Sequence, residues 1–193
     1  MITLIIIIVI VVIIIAYVIK TYNSLIAEIE AVDNSERQID VQLDRRAKVF
    51  DSLINTVRKY MDYEKTVLKD VTDLRTQANN AKSEGDVQTR MAAENEISKI
   101  AGSLNVQFEN YPDLKANQNV LQLQEEITST ENKLAFSKQA FNDGIEKYNA
   151  HKKSMIAGIV VNMFKSKLDK EFIYWNVGSD EKRAELENTR VEL

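Results

Sequence analysis

Residues Ile2 to Ile19 form a nearly pure isoleucine and valine run of about 18 residues, in which Thr3, Ala16 and Tyr17 are the weaker apolar types. As a helix rising about 1.5 Å per residue it covers about 27 Å, close to the hydrocarbon thickness of a bilayer. A buried strand is the alternative, but strands usually end well short of such a length. A cleaved signal peptide would have a basic segment ahead of a shorter apolar one, and a small-residue cleavage site; here only Met1 precedes the run. Lys20 follows directly, and Tyr17 stands where an interfacial aromatic belongs. The expectation is an uncleaved signal-anchor over residues 1–20, with Ile2, Leu4, Ile8, Val12, Ile15, Tyr17 and Ile19 against lipid. Lys20 is the one close basic residue and the acidic Glu28, Glu30 and Asp33 count little. Charge therefore leans towards a single-pass protein of the cell (inner) membrane, with a short outside N-terminus and the bulk of the chain cytoplasmic.

The rest of the chain reads as helix. One Pro and five Gly in 193 residues are too few for the turns of an all-β fold, which leaves an all-α bundle with a modest core. From Leu25, the positions Ile29, Val32, Glu36, Ile39, Leu43, Arg46, Phe50, Leu53, Val57 and Tyr60 follow at alternating steps of four and three. The phase continues through Glu64, Val67, Val71, Leu74 and Ala78, a heptad seam of long helices packed lengthwise. Asp62 is a candidate cap for a kink near Tyr60 to Glu64. "SEGD", Ser83 to Asp86, reads as a turn. A second helix carries Met91, Ile97, Ile100, Leu104, Phe108 and Tyr111 on one side, and Pro112 breaks it while suiting the first turn of a third. That third helix, Asp113 to about Lys152, presents Val120, Leu123, Ile127, Thr130, Leu134, Ser137, Phe141, Gly144 and Tyr148. Large and small residues alternate there, as a closely approaching neighbour requires. The first and last helices are each about 60 Å long, so an antiparallel return brings Lys152 back towards Lys20. The expected fold is an N-terminal transmembrane helix followed by an antiparallel, coiled-coil-like bundle of three to four helices over residues 21–153.

Few residues here can carry chemistry. There is no Cys, which removes disulfides, thiolate metal sites and Cys nucleophiles. His151 is the sole histidine and has no carboxylate three residues before it, so neither a di-iron bundle site nor a His-dependent triad can be assembled. The glycines are isolated and build no phosphate loop. Catalysis, cofactors, metals and a small-molecule substrate are not expected, and a net charge of −4 disfavours nucleic acid. Within the seam, Arg46 is the polar residue of most interest. A contact between Arg45 or Arg46 and Glu125 or Glu131 would form a polar layer that penalises slipped registers. Alternatively Arg46 snorkels out of the seam.

Near the end, "SMIAGIVVNMFKSKL" (Ser154 to Leu168) holds ten uncharged residues, Met155 to Phe164, too short to span at about 15 Å of helix. Lys152, Lys153, Lys165, Lys167 and Lys170 surround it against Asp169 alone. Apolar residues between lysines, followed by "FIYW", form the pattern of an amphipathic segment in an interface with anionic lipid. The expected contacts are Lys152, Lys153, Met155, Ile156, Ile159, Phe164, Lys165, Lys167, Phe172 and Trp175, within a membrane-proximal segment at 154–177. The competing reading is that Ile156, Ile159, Val160 and Phe164 only close the bundle's end. Residues 178–193 are acidic, with Leu186, Val191 and Leu193 as the large apolar side chains, and read as a loose charged tail.

"YNSL" after the anchor, "IDVQLDRRAKVFDSLINTVRKYMDYEKTVLKDVTDLR", "ENYPDLKANQNVLQLQEEITSTENKLA" and "FNDGIEKYN" together make the chain resemble the bacterial LemA family, over Met1 to roughly Val177. The resemblance implies an N-terminal membrane anchor, a cytoplasmic antiparallel helical bundle and no established enzymatic activity; one branch is associated with magnetosomes, an intracellular membrane compartment. Asp51 and Ser52 stand where the family usually has Pro-Asn, which implies a straighter first helix, and the chain runs past the usual end. The function expected is a membrane-anchored scaffold or adaptor acting on lipid, on other membrane proteins or by self-association. Rival readings are a regulatory subunit of a membrane protease or signalling complex, and an enzyme of unrecognised type.

Overall fold

The computed structural model describes residues 1–57, 65–108 and 117–175; most of these are helical, residues 169–175 follow the last helix without regular structure, and no strand is found among them. Among the described residues six helices follow in order: α1 (Ile2–Val57), α2 (Lys65–Glu84), α3 (Val87–Phe108), α4 (Gln118–Lys152), α5 (Met155–Met163) and α6 (Lys165–Leu168). The expected kink at Tyr60 to Glu64, the break at Pro112 and the charged tail at 178–193 lie outside the described residues.

α1 runs unbroken because nothing in it interrupts the ladder. It holds neither Gly nor Pro, and in hydrocarbon a helix satisfies every backbone group of the Ile/Val stretch. It passes straight through Asp51 and Ser52; the Ser52 hydroxyl donates to the carbonyl of Lys48 at 3.0 Å. The "SEGD" turn is a Schellman closure. Gly85 takes φ +74°, its N–H donates to the Lys82 carbonyl (3.3 Å), and the Asp86 N–H donates to that of Ala81 (2.9 Å). Asp86 then caps α3, accepting from the amide of Thr89 at 3.0 Å and its hydroxyl at 2.6 Å. The Thr89 hydroxyl and amide hold the Asp86 carboxyl below its ordinary value. Asn117 similarly starts α4, its side-chain oxygen accepting from the Asn119 N–H at 3.0 Å.

The chain forms two compact units. One comprises Met1–Gln38 and Lys138–Tyr174; the other comprises Ile39–Ser137, with Trp175. In the first, the early part of α1 lies antiparallel to the end of α4: Val32 faces Gly144 while Glu28 meets His151 at 3.0 Å. A Cβ on Gly144 would stand 3.4 Å from Val32 Cγ2, so the missing side chain is what lets the two helices approach. Leu25, Ile29, Tyr148, Ala157, Val160, Val161 and Leu168 form the core. In the second unit, α2 runs antiparallel to α1, as Asp40 pairs with Lys82 and Asp51 with Arg75, each at 2.8 Å. Its core joins Val49, Phe50 and Leu53 of α1 to Val71, Ile97, Ala101, Val120 and Ile127.

Candidate functional site

Up to Tyr17, the Ile/Val run of α1 is exposed and has no packing partner among the described residues. Ile2 is 77% exposed, Ile8 54% and Ile19 55%; Leu4, Val12, Ile15 and Tyr17 are exposed with them. Leaving some eighteen such side chains in water would forgo burial worth on the order of tens of kcal/mol. α1 is the one helix among the described residues long and apolar enough to cross a membrane, and it supplies the anchor.

Just past that run, α5 folds onto α1. Ser154 leaves the helical backbone (φ −65°, ψ 149°) between α4 and α5, and the Phe164 N–H closes α5 on the carbonyls of Val160 (3.1 Å) and Val161 (3.2 Å). Ala157, Val160 and Val161 point into the core with Leu25 and Ile29, while Val18, Tyr22 and Ile26 pack on its margin. The ring of Phe164 meets that of Tyr22 edge-on at 5.0 Å.

The stretch after α6 is pinned by one side chain. Tyr148 is fully buried; its hydroxyl donates to the Leu168 carbonyl and accepts from the Lys170 N–H at 2.9 Å. Phe172 packs edge-on against the same ring at 5.5 Å, and Lys152 lies 5.4 Å over it. Lys152 also pairs with Asp169 at 2.7 Å. Burial pulls the Lys152 ammonium down, but the hydrogen bond and charge of Asp169, with further electrostatic support around it, outweigh burial and hold the group above its ordinary value. Asp169 is held below the usual aspartate range, first by the hydrogen bond from Lys152, then by the charges of Lys152 and Lys165.

The residues expected at an interface therefore separate. Met155, Ile156 and Ile159 are exposed, as are Lys153, Lys165 and Lys167; Phe164 is exposed at its rim. Lys152 and Phe172 are engaged with Tyr148, and Trp175 is buried at 3% exposure with the Arg90 guanidinium 5.3 Å over its ring. The aromatic character of "FIYW" does not distinguish a headgroup residue from one that closes a core; Ile173 and Tyr174 are its exposed members. What sequence reasoning missed is the Tyr148 hydroxyl as a backbone clamp. The only signal was a tyrosine at a seam position, where a phenol must find a partner.

In the second unit Arg46 is buried at 2% exposure and does not snorkel. Its guanidinium donates to both the carboxylate and the carbonyl of Glu94, to Ser98 Oγ at 2.8 Å, and to Glu131 at 3.3 Å. Ser98 in turn donates to Glu131 at 2.9 Å, closing the network. Arg45 reaches Glu126 at 3.1 Å across an exposed surface, whereas Glu125 is turned to solvent: adjacent glutamates lie on different sides of α4. Glu94, which the sequence reading omitted, falls between Met91 and Ile97 on the buried side of α3. Beside Arg46 a crevice of about 70 Å³, lined by Asp44, Arg75, Asn79 and Glu94 among others, is large enough for water. Among the described residues no group of three or more His, Cys, Asp or Glu is arranged to hold a metal ion.

The LemA family matches residues 35–187. The chain belongs to the LemA family. It is similar to Protein LemA of Metamycoplasma hominis, with 28% identity over 120 residues, which is 62% of this chain and 54% of that relative. The chain thus spans about half the length of the curated LemA protein it matches. The family match contains the whole Arg46 network, α2, α3 and the α5 segment, while the Ile/Val run precedes it.

Proposed function

We propose that this LemA-family chain is a scaffold or adaptor of the cell membrane, without catalysis of its own, which holds partner proteins or lipid at the cytoplasmic face. The observation that carries this reading is the continuity of α1. The exposed Ile/Val run and the buried residues Leu25, Ile29 and Val32 belong to one helix with no linker between them, so the anchor and the helical body cannot turn independently. A tethered catalytic domain has no need of such a joint; a protein that presents a surface at a set height above a bilayer does. The short outside N-terminus and single-pass topology belong to the same proposal.

Crosslinking in native membranes, followed by mass spectrometry, tests it. A scaffold gives several membrane neighbours or copies of itself, lost together when α1 is cut from its apolar run. A single stoichiometric protease or signalling partner whose activity changes with this chain would replace the scaffold by a regulatory subunit.

A further inference from the structure

We infer that α5, with the lysines around it, is a second membrane contact, lying in the headgroup region of an anionic bilayer beside the anchor. The inference rests on the anchor and not on the scaffold role. Three observations converge on it. On α5, Met155 (83% exposed), Ile156 (44%), Ile159 (60%) and Met163 (63%) fall within an arc of about 100°, while Ala157, Val160 and Val161 occupy the neighbouring arc and are buried. The helix thus has two apolar faces, and the protein covers one. Next, α5 packs at Val18, Tyr22 and Ile26, and Tyr22 is only about 4.5 Å along α1 beyond Ile19, where the apolar run ends. The uncovered face is therefore held at the level where hydrocarbon gives way to headgroups. Finally, Lys153, Lys165, Lys167 and Lys170 are exposed before and after α5, against two nearby carboxylates: Asp169, which is paired with Lys152 at 2.7 Å and lies 4.0 Å from Lys165, and the exposed Glu171. In a chain of net charge −4 this is a local positive rim, complementary to acidic lipid. Lysine is depleted from the cores of protein interfaces, which favours lipid over a protein partner on this surface.

The absence of Cys lets a single cysteine report position in the full chain. Ile159→Cys, Ile8→Cys and Arg37→Cys are each labelled with a fluorophore and reconstituted into vesicles of phosphatidylcholine alone, or mixed with phosphatidylglycerol. Quenching by spin-labelled lipid is then measured. Arg37 is exposed on α1, about 27 Å past Ile19, and serves as the reference. In mixed vesicles the Ile159 label is quenched at least about threefold more than the Arg37 label, as expected for a helix sunk into the headgroup boundary. The excess falls in pure phosphatidylcholine and in the triple variant Lys153→Glu, Lys165→Glu, Lys167→Glu. Quenching at Ile159 no greater than at Arg37 overturns the contact; equal quenching in the two lipids overturns the preference for acidic lipid. A quenched Ile8 label beside an unquenched Ile159 label leaves the anchor standing and removes only this inference, whereas an unquenched Ile8 label removes the anchor.

Discussion

Val32 and Arg46 stand fourteen residues apart on α1, at the same position of the heptad, yet the two units bury them in opposite ways. Val32 is buried against Gly144, and the contact is made by shape: a small residue on α4 admits a branched one on α1. Around Arg46 the neighbours are Glu94, Ser98 and Glu131, drawn from α3 and α4, and the contact is made by charge. An apolar seam tolerates a slip of one heptad, because one aliphatic contact resembles the next. We propose that the buried guanidinium does not, since a slipped register would part it from Glu94 and Glu131. The unit beside the anchor has less need of such a device, because Tyr148 already fixes its strand of backbone at Leu168 and Lys170.

The contrast can be broken most sharply at the arginine. Arg46→Leu leaves Glu94, and in part Glu131, buried without their cation, and should cost about 3–5 kcal/mol in denaturant unfolding of the detergent-solubilised chain. Adding Glu94→Leu should recover much of that loss. A stable single variant would mean that the layer adds nothing beyond packing. Tyr148→Phe should be milder, about 1–3 kcal/mol, because it strips a buried carbonyl and a part-buried N–H of one shared partner. Its effect should appear in hydrogen exchange as loss of protection at Lys170, with the amides around Arg46 unchanged.

The smallest effect concerns Lys152 and Asp169, and its direction follows from their shifted pKa values. Asp169 is depressed by Lys152, so its contribution is present above the unfolded aspartate pKa and lost as pH falls through the lower folded value. Lys152 is raised, so its contribution persists below the ordinary lysine pKa and is lost only as pH rises through the higher folded value. Exchange protection of residues 165–170 should therefore hold across the neutral range and fall only below the usual carboxylate range. Asp169→Asn should lower it modestly at neutral pH. An identical acid profile in both proteins would show that Tyr148 alone holds the segment.

Much of this architecture was legible in residue order. A membrane-length Ile/Val run, the scarcity of Gly and Pro, the steps of three and four from Leu25 to Leu53, and Gly85 before Asp86 each act through local sterics, backbone hydrogen bonding or transfer from water. Such effects depend on neighbours in the chain, which is why the anchor, the all-α class and the "SEGD" turn followed directly. Arg46 could be recognised as anomalous, and Glu131 as within reach, but Glu94 and Ser98 lie 48 and 52 residues away, and their approach depends on how α2 and α3 return. The same holds near the anchor. Periodicity shows that α5 is apolar nearly all round; which half the protein covers, and that Ile159 stays open, is decided when Val160 and Val161 meet Leu25 and Ile29. Burial is a property of pairs of surfaces, so composition and period alone determined that this chain would be helical and anchored, and only tertiary packing decided which side chains remained outside to meet anything else.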